Sequence, residues 1–138
     1  MNTSDCIFCK IAAGQIPCIR IFESDTVLAF LDIGPVSDGH TLMIPKTHIE
    51  QLDSCPQQLL AQITASLPRL AQAVISAVDA PAYNILLNNG SAAGQLVKHL
   101  HFHIIPRKPG DGVFDRWPAY AYPAGKAEAI AEKIRQKL

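Results

Sequence analysis

Short apolar stretches mark the first third of the chain. Residues 19–22, 27–31 and 41–44 are rich in Ile, Val, Leu or Phe, and Gly, Pro, Asp or Ser residues separate them. Apolar runs bounded by turn-forming residues are typical of β-strands. The spacing therefore predicts an antiparallel meander.

The pattern changes over residues 56–78, where apolar residues recur at helical spacing and polar residues take the other face. This periodicity predicts the long helix of the domain. Because proline removes a backbone donor, Pro68 should kink this helix or divide it. The apolar positions are Leu59, Leu60, Ile63, Leu67, Leu70, Val74, Ile75 and Val78.

Two more strands are predicted after this helix, at residues 83–87 and 100–105, with the turn-rich segment 88–94 between them. Ile130, Ile134 and Leu138 then recur at four-residue spacing among charged residues, which predicts an amphipathic C-terminal helix. Strands, one long helix and strands again indicate an α+β fold with a mainly antiparallel sheet of about five strands.

Length and charge narrow the class of protein. The 138 residues suffice for one compact domain, so we expect a single domain over residues 1–138. Twelve Lys and Arg balance twelve Asp and Glu, whereas a nucleic-acid partner requires a basic surface. No apolar stretch approaches the roughly 20 residues that span a bilayer, and the first residues lack the features of a signal peptide. We therefore expect no nucleic-acid or membrane partner and a cytoplasmic location.

Three of the five histidines lie in one short segment, at His99, His101 and His103. Alternate side chains of a strand share a face, so the three imidazoles are predicted to line one surface over about 13 Å. Leu100, Phe102 and Ile104 would then point into the core. The alternative is a solvent-facing polar edge, or adventitious metal binding.

Such a row of imidazoles suits phosphorus chemistry. A neutral imidazole is a good nucleophile near neutral pH when its second nitrogen donates a hydrogen bond, and neighbouring imidazoles can donate to phosphate. The middle residue, His101, is the natural attacker. The loop from Gly90 to Gly94 can offer backbone N–H groups, although Asn-Asn-Gly is also a common hairpin signal.

These residues resemble a known family. Residues 99–105 read His-Leu-His-Phe-His-Ile-Ile, which is similar to the signature of the histidine triad (HIT) family. Blocks at residues 6–11, 29–33, 39–42, 44–48 and 88–95 resemble those of small bacterial members. The resemblance covers a region of about residues 5–110 and leaves the C-terminal tail, residues 111–138, without a motif.

The resemblance implies a HIT-like fold and an enzyme that acts at the α-phosphate of a nucleotide. In that family the middle histidine attacks phosphorus, and water then releases a nucleoside monophosphate from the nucleotidyl-histidine intermediate. Carried over, His101 is the nucleophile, His103 and His40 hold phosphate oxygens, and His99 adjoins them. On its own, His40 after Gly39 is equally typical of a surface loop.

The resemblance also implies a purine nucleotide or nucleoside phosphoramidate as the ligand. Asp32 resembles the residue that binds the ribose hydroxyls, although a lone Asp at a strand end is more often a turn or cap residue. The base would lie between Phe8, Ile33 and Leu42. The phosphate would meet Asn88, Gly94 and Gln95.

Leu96 departs from the family pattern, in which many members have Ser or Thr at this position. Leucine donates no hydrogen bond, so the departure predicts a slower enzyme or a different leaving group; one lost donor can cost about 10²-fold in rate. The first half of the chain resembles purine nucleoside phosphoramidases, and residues 97–99 and 106–111 resemble dinucleoside polyphosphate hydrolases. A zinc-stabilised nucleotide-binding module with little turnover is the remaining alternative.

Cys6 and Cys9 form a Cys-x-x-Cys pair, which is consistent with a redox pair, half of a metal site or two unrelated thiols. No strand-to-helix unit precedes Cys6, and this makes the redox interpretation weak. The resemblance implies a structural zinc ion held by Cys6, Cys9, His48 and His99. It also implies a homodimer.

Overall fold

The computed structural model describes residues 5–116 and 118–138. Five strands and four α-helices make up this part of the chain. The strands are β1 (Arg20–Glu23), β2 (Val27–Leu31), β3 (Thr41–Pro45), β4 (Ala82–Leu87) and β5 (Phe102–Arg107). The helices are α1 (Ile7–Ala12), α2 (Gln57–Ala65), α3 (Leu67–Ala77) and α4 (Lys126–Arg135).

The strands form one sheet in the order β1-β2-β3-β5-β4, and every neighbouring pair is antiparallel. The predicted α+β fold is therefore confirmed, including the meander of the first three strands. The last strand inserts beside β3, so that Leu42 lies opposite His103. This pairing brings the histidine segment next to the loop that connects β2 and β3.

The sheet has an apolar cluster on each face, because successive side chains of a strand point to opposite faces. Val27 and Ala29 of β2 pack towards α2 and α3, whereas Leu28 and Phe30 pack towards α1. The predicted core residues Leu100, Phe102 and Ile104 lie in the cluster beneath α2 and α3. The opposite cluster carries the residues of the candidate site.

The predicted long helix is divided into α2 and α3 by Ser66, and Pro68 lies in the first turn of α3. Proline is tolerated there because the first helical N–H groups have no partner within the helix. The predicted division is confirmed. No helix of the described residues is long and apolar enough to cross a bilayer.

Two local features differ from the sequence prediction. The six-residue helix α1 has no counterpart in that prediction, since it is too short to display a helical period. The last strand begins at Phe102 and not at residue 100, because the alternation of apolar residues extends into the segment that leads to the strand.

Candidate functional site

The three histidines of the triad segment are not an exposed row. His99 is 0% and His101 6% exposed, and both precede β5, whereas His103 lies within it. Phe8 of α1 packs against His99 and His101, with its ring centroid 5.9 Å from that of His99 and 5.1 Å from that of His101. The three imidazoles thus lie on the face of the sheet opposite Leu100, Phe102 and Ile104, and this face is largely buried beneath α1, not a solvent-facing edge.

His101 has a defined tautomer. Its Nδ1–H donates to the backbone carbonyl of His99 at 2.6 Å, which leaves the lone pair on Nε2. Burial lowers the pKa of His101, so the ring is neutral at neutral pH. A neutral imidazole with a fixed tautomer is the form that attacks an electrophile.

Asp32, His40 and His103 form a second group beside His101. Asp32 follows β2 and His40 precedes β3, and the Asp32 N–H donates to the His40 carbonyl at 2.9 Å. Nε2 of His40 lies 2.9 Å from Nδ1 of His103 and 3.6 Å from Oδ2 of Asp32. The ring of His103 lies 4.9 Å from that of His101, measured between centroids.

Desolvation controls the charge of this group. Burial lowers the pKa of His103 to about 4, with smaller contributions from His101 and His40. Burial also lowers the pKa of His40, and the Asp32 carboxylate opposes this effect. Both rings are therefore neutral at neutral pH.

Glycine is required immediately before His40. Gly39 has a φ of +83°, and an added Cβ would lie 3.0 Å from Cγ1 of Val78 and 3.3 Å from Cγ of Pro106. A side chain here would clash with the end of α3 and with β5. The loop that carries His40 is thus held close against the rest of the fold.

The three residues that the resemblance assigns to the base differ in their exposure to solvent. Phe8 and Leu42 are buried in the cluster beneath α1. Ile33 is 97% exposed in the loop that follows Asp32.

The residues assigned to the phosphate belong to the glycine-containing loop. Gln95 is buried; its amide N–H donates to the Glu50 carbonyl, and its side-chain oxygen accepts from the Gly90 N–H, both at 2.7 Å. Asn88 donates to the Gly94 carbonyl at 3.5 Å. The side chain of Gln95 therefore holds the loop in shape. Leu96, the departure noted in the sequence, is 94% exposed.

Cys6, Cys9, His48 and His99 also come together, and their potential ligand atoms lie within 4.8 Å of one another. Nδ1 of His99 is 3.4 Å from Sγ of Cys6 and 3.6 Å from Sγ of Cys9, and Nδ1 of His48 is 3.3 Å from Sγ of Cys9. Tetrahedral zinc holds sulfur and nitrogen ligands about 3.5 Å apart. The four residues fit zinc.

The protonation of this cluster also fits a cation. Nε2–H of His99 donates to the Pro45 carbonyl at 2.8 Å, so the lone pair on Nδ1 faces the two sulfurs. A hydrogen bond of this kind on the far nitrogen is usual for a metal-ligating histidine. Burial and the neighbouring Cys6 raise the pKa of the Cys9 thiol to about 11, which a divalent cation would reverse by stabilising the thiolate.

Comparison with known proteins gives the family. Residues 13–110 match the HIT domain. The chain belongs to the HIT family. The resemblance of the triad segment is therefore confirmed. The matched region contains the whole sheet and all five histidines, whereas Cys6 and Cys9 precede it.

Two relatives of this HIT protein carry names that state an activity. Adenosine 5'-monophosphoramidase hnt1 of Schizosaccharomyces pombe is 44% identical over 135 residues, which are 96% of this chain and 98% of the relative. Adenylylsulfatase HINT3 of Arabidopsis thaliana is 44% identical over 108 residues, which are 78% of this chain and 55% of the relative. This HIT protein thus spans about half the length of the second relative.

Solved HIT structures share the fold. The crystal structure of a HIT family member from Bacillus subtilis has a TM-score of 0.90 at 44% identity and covers 97% of both chains. A zinc-bound histidine triad family protein from Mycobacterium smegmatis has a TM-score of 0.75 at 34% identity, over 99% of this chain and 100% of that one.

The sequence did not reveal the backbone groups of this HIT site. The Val36 N–H donates to Nδ1 of His40 at 3.2 Å, and the Pro45 carbonyl accepts from His99. Every residue has a carbonyl, and all but proline have an N–H, so no sequence signal marks the ones that meet a ring nitrogen.

Proposed function

We propose that this HIT protein hydrolyses nucleoside phosphoramidates at the α-phosphate and releases a nucleoside monophosphate. The observation that carries the proposal is the tautomer of His101, whose Nδ1–H is bound to the His99 carbonyl at 2.6 Å while Nε2 keeps its lone pair. The phosphoramidase name of the relative from Schizosaccharomyces pombe supports the choice of substrate.

In the first step, Nε2 of His101 forms a bond to the α-phosphorus, and the bond from phosphorus to the leaving amine breaks. The amine leaves with the electron pair of that bond and takes up a proton. In the second step, water attacks the nucleotidyl-histidine, the P–Nε2 bond breaks, and the oxygen of water remains on phosphorus while its proton is released. His40, His99 and His103 are the other histidines that we assign to this site.

We assign purine nucleotide recognition to the residues named by the resemblance. The Asp32 carboxylate lies at the edge of the site, with one oxygen accepting from the Gly34 N–H at 2.8 Å, and it would accept the ribose hydroxyls. The base is assigned to Phe8, Ile33 and Leu42, and the phosphate to Asn88, Gly94 and Gln95. Ile33 is exposed and would pack against the base only when the nucleotide is bound.

The test compares the release of AMP from adenosine phosphoramidate and from diadenosine triphosphate, with His101→Ala as the control. A preference for the phosphoramidate, lost in the variant, is the expected result. The relatives described above do not support dinucleoside polyphosphate hydrolysis, and a preference for diadenosine triphosphate would establish it. Nucleotide binding without turnover of either substrate would establish the binding module.

We also propose that Cys6, Cys9, His48 and His99 hold a structural zinc ion, which the ligand spacing and the zinc-bound relative support. Zinc would stabilise the thiolates and fix the ring of His99, whose carbonyl in turn orients His101. Metal analysis of protein prepared without chelator should find about one equivalent of zinc. Less than about a quarter of an equivalent would leave Cys6 and Cys9 as small buried apolar residues.

We further propose that residues 1–138 act as one domain within a homodimer. Strand β4 lies at the edge of the sheet and leaves Tyr83 44% and Ile85 42% exposed. An exposed edge strand with apolar side chains is a surface that a second copy can cover. Light scattering that gives the mass of a monomer would reject the dimer.

We propose a cytoplasmic location for the protein. Thiols remain reduced in the cytoplasm, which agrees with four cysteines that form no disulfide among the described residues.

A further inference from the structure

We propose that His40 is a positioning residue that fixes the tautomer of His103, so that His103 presents its Nε2–H to the phosphate. This inference rests on the proposed function for its substrate. It departs from the family resemblance, which implies that His40 itself holds a phosphate oxygen.

The first step is set by the backbone of Val36. A backbone N–H only donates, and that of Val36 lies 3.2 Å from Nδ1 of His40. Nδ1 of His40 is therefore the acceptor. The single proton of the neutral His40 ring is consequently on Nε2.

The tautomer of His40 in turn determines the tautomer of His103. Nε2–H of His40 points to Nδ1 of His103 at 2.9 Å, so Nδ1 of His103 accepts. The proton of the neutral His103 ring is then on Nε2. Among the described residues, this buried Nε2 has no hydrogen-bond partner.

A buried N–H group without an acceptor destabilises the folded protein unless a bound ligand accepts a hydrogen bond from it. The His103 ring lies beside the ring of the nucleophile His101, with centroids 4.9 Å apart. A phosphate attacked by His101 would therefore lie within reach of the His103 donor. Such a preorganised donor stabilises the negative charge that develops on the phosphoryl oxygens.

Metal binding is the competing use of these residues, because Asp32, His40 and His103 also bring three ligand atoms together. A neutral histidine that ligates a metal through Nε2 carries its proton on Nδ1, where it usually donates to a carbonyl or carboxylate. Nδ1 of His40 instead faces the Val36 N–H. The hydrogen bonds thus favour a chain of donors over a metal site.

The test uses two substitutions of His40 that differ in one property. In His40→Gln the side-chain amide can still donate to His103, whereas His40→Leu removes the donor. Nitrogen-15 NMR of histidine-labelled, ligand-free protein reports which ring nitrogen of His103 carries the proton. His103→Asn assigns its signals.

In the wild type and in His40→Gln we expect His103 to be protonated on Nε2, and in His40→Leu we expect a mixture of the two tautomers. For phosphoramidate hydrolysis, kcat should fall by about 10²-fold in His40→Leu and recover in His40→Gln, while KM changes less. Both variants change the packing around His103 but only His40→Gln keeps the donor, so a tautomer retained in His40→Gln and mixed in His40→Leu separates positioning from a structural role.

His103 protonated on Nε2 in His40→Leu, or on Nδ1 in the wild type, would overturn the proposal. So would a His40→Gln variant that keeps the tautomer and shows no recovery of kcat. Failure of the proposed function looks different: the tautomers would be as expected, and the wild type would release no AMP from phosphoramidates.

Discussion

Two histidine groups lie side by side in this protein, and they differ in the backbone group behind the ring. In the cysteine-containing group, the far nitrogen of His99 meets the Pro45 carbonyl, so the ring turns a lone pair towards the sulfurs. In the Asp32 group, the far nitrogen of His40 meets the Val36 N–H, so the ring turns a proton towards His103. One backbone atom therefore decides whether an imidazole acts as a ligand or as a donor.

The largest expected effect comes from breaking the first group. Cys6→Ala removes one of four zinc ligands, and we expect loss of the metal and a fall in the free energy of unfolding by several kcal/mol, since structural zinc contributes folding energy. Metal analysis and thermal unfolding measure both effects. Cys18→Ala is the matched control, because Cys18 packs against the same apolar cluster outside the metal group. Equal destabilisation by the two substitutions would contradict the zinc assignment.

Acid should destabilise the protein through His103 of the second group. The unfolded chain binds a proton at His103 near pH 6.5, whereas burial lowers the native pKa to about 4. Stability from this residue is therefore complete above pH 6.5 and falls by at most about 1.4 kcal/mol per pH unit as the pH drops towards 4.

The measurement is urea unfolding of the wild type and of His103→Asn across that range, and their difference removes the contribution of other groups. The variant should lose stability less steeply on acidification. Parallel curves would show that His103 does not titrate between the two values.

Gln95 belongs to neither group, and its replacement sharpens the comparison. Gln95→Leu removes the bonds to the Gly90 N–H and the Glu50 carbonyl, which should cost about 1–3 kcal/mol of unfolding free energy. Zinc content should stay unchanged. Denaturant unfolding is the measurement, and the exposed Gln72→Leu is the control; equal effects would show that the loop does not depend on Gln95.

The smallest effect is expected from a substitution at Leu96, which should change the rate of hydrolysis and leave stability almost unchanged. Leu96→Ser introduces a hydroxyl, and kcat/KM for phosphoramidates should rise by up to about 10-fold, less than a preorganised donor contributes. Stability should change by less than about 0.5 kcal/mol, because the side chain is exposed. A fall in kcat/KM would mean that the leucine itself aids the reaction.

The sequence predicted those parts of the candidate site whose chemistry depends on the type of side chain alone. The triad at residues 99–103 and the Cys-x-x-Cys pair named the imidazoles and thiols that the fold brings together. The neighbours that set their protonation were not readable, since the Val36 N–H and the Pro45 carbonyl belong to the backbone. Gln95 shows a third case: the family resemblance points to its residue type, but its bonds to the Gly90 N–H and the Glu50 carbonyl depend on tertiary structure.

The strands also divide into features that the residue types predict and features that depend on backbone pairing. Strand β2 was predicted at its observed bounds because its apolar run ends at turn residues on both sides. The start of β5 was misplaced by two residues, since the apolar alternation begins at Leu100, where the backbone is not yet part of the sheet. Periodicity records which side chains are buried and does not record which N–H groups pair.

The absence of a side chain at residue 39 limits how this protein can change over evolutionary time. The backbone there lies against Val78 and Pro106, so the loop with His40, the end of α3 and strand β5 meet at one point. A bulkier residue at any of the three positions would displace the other two. These segments, far apart in the gene, are expected to vary together or to stay fixed, and any transplant of the loop that carries His40 into another scaffold would have to carry all three.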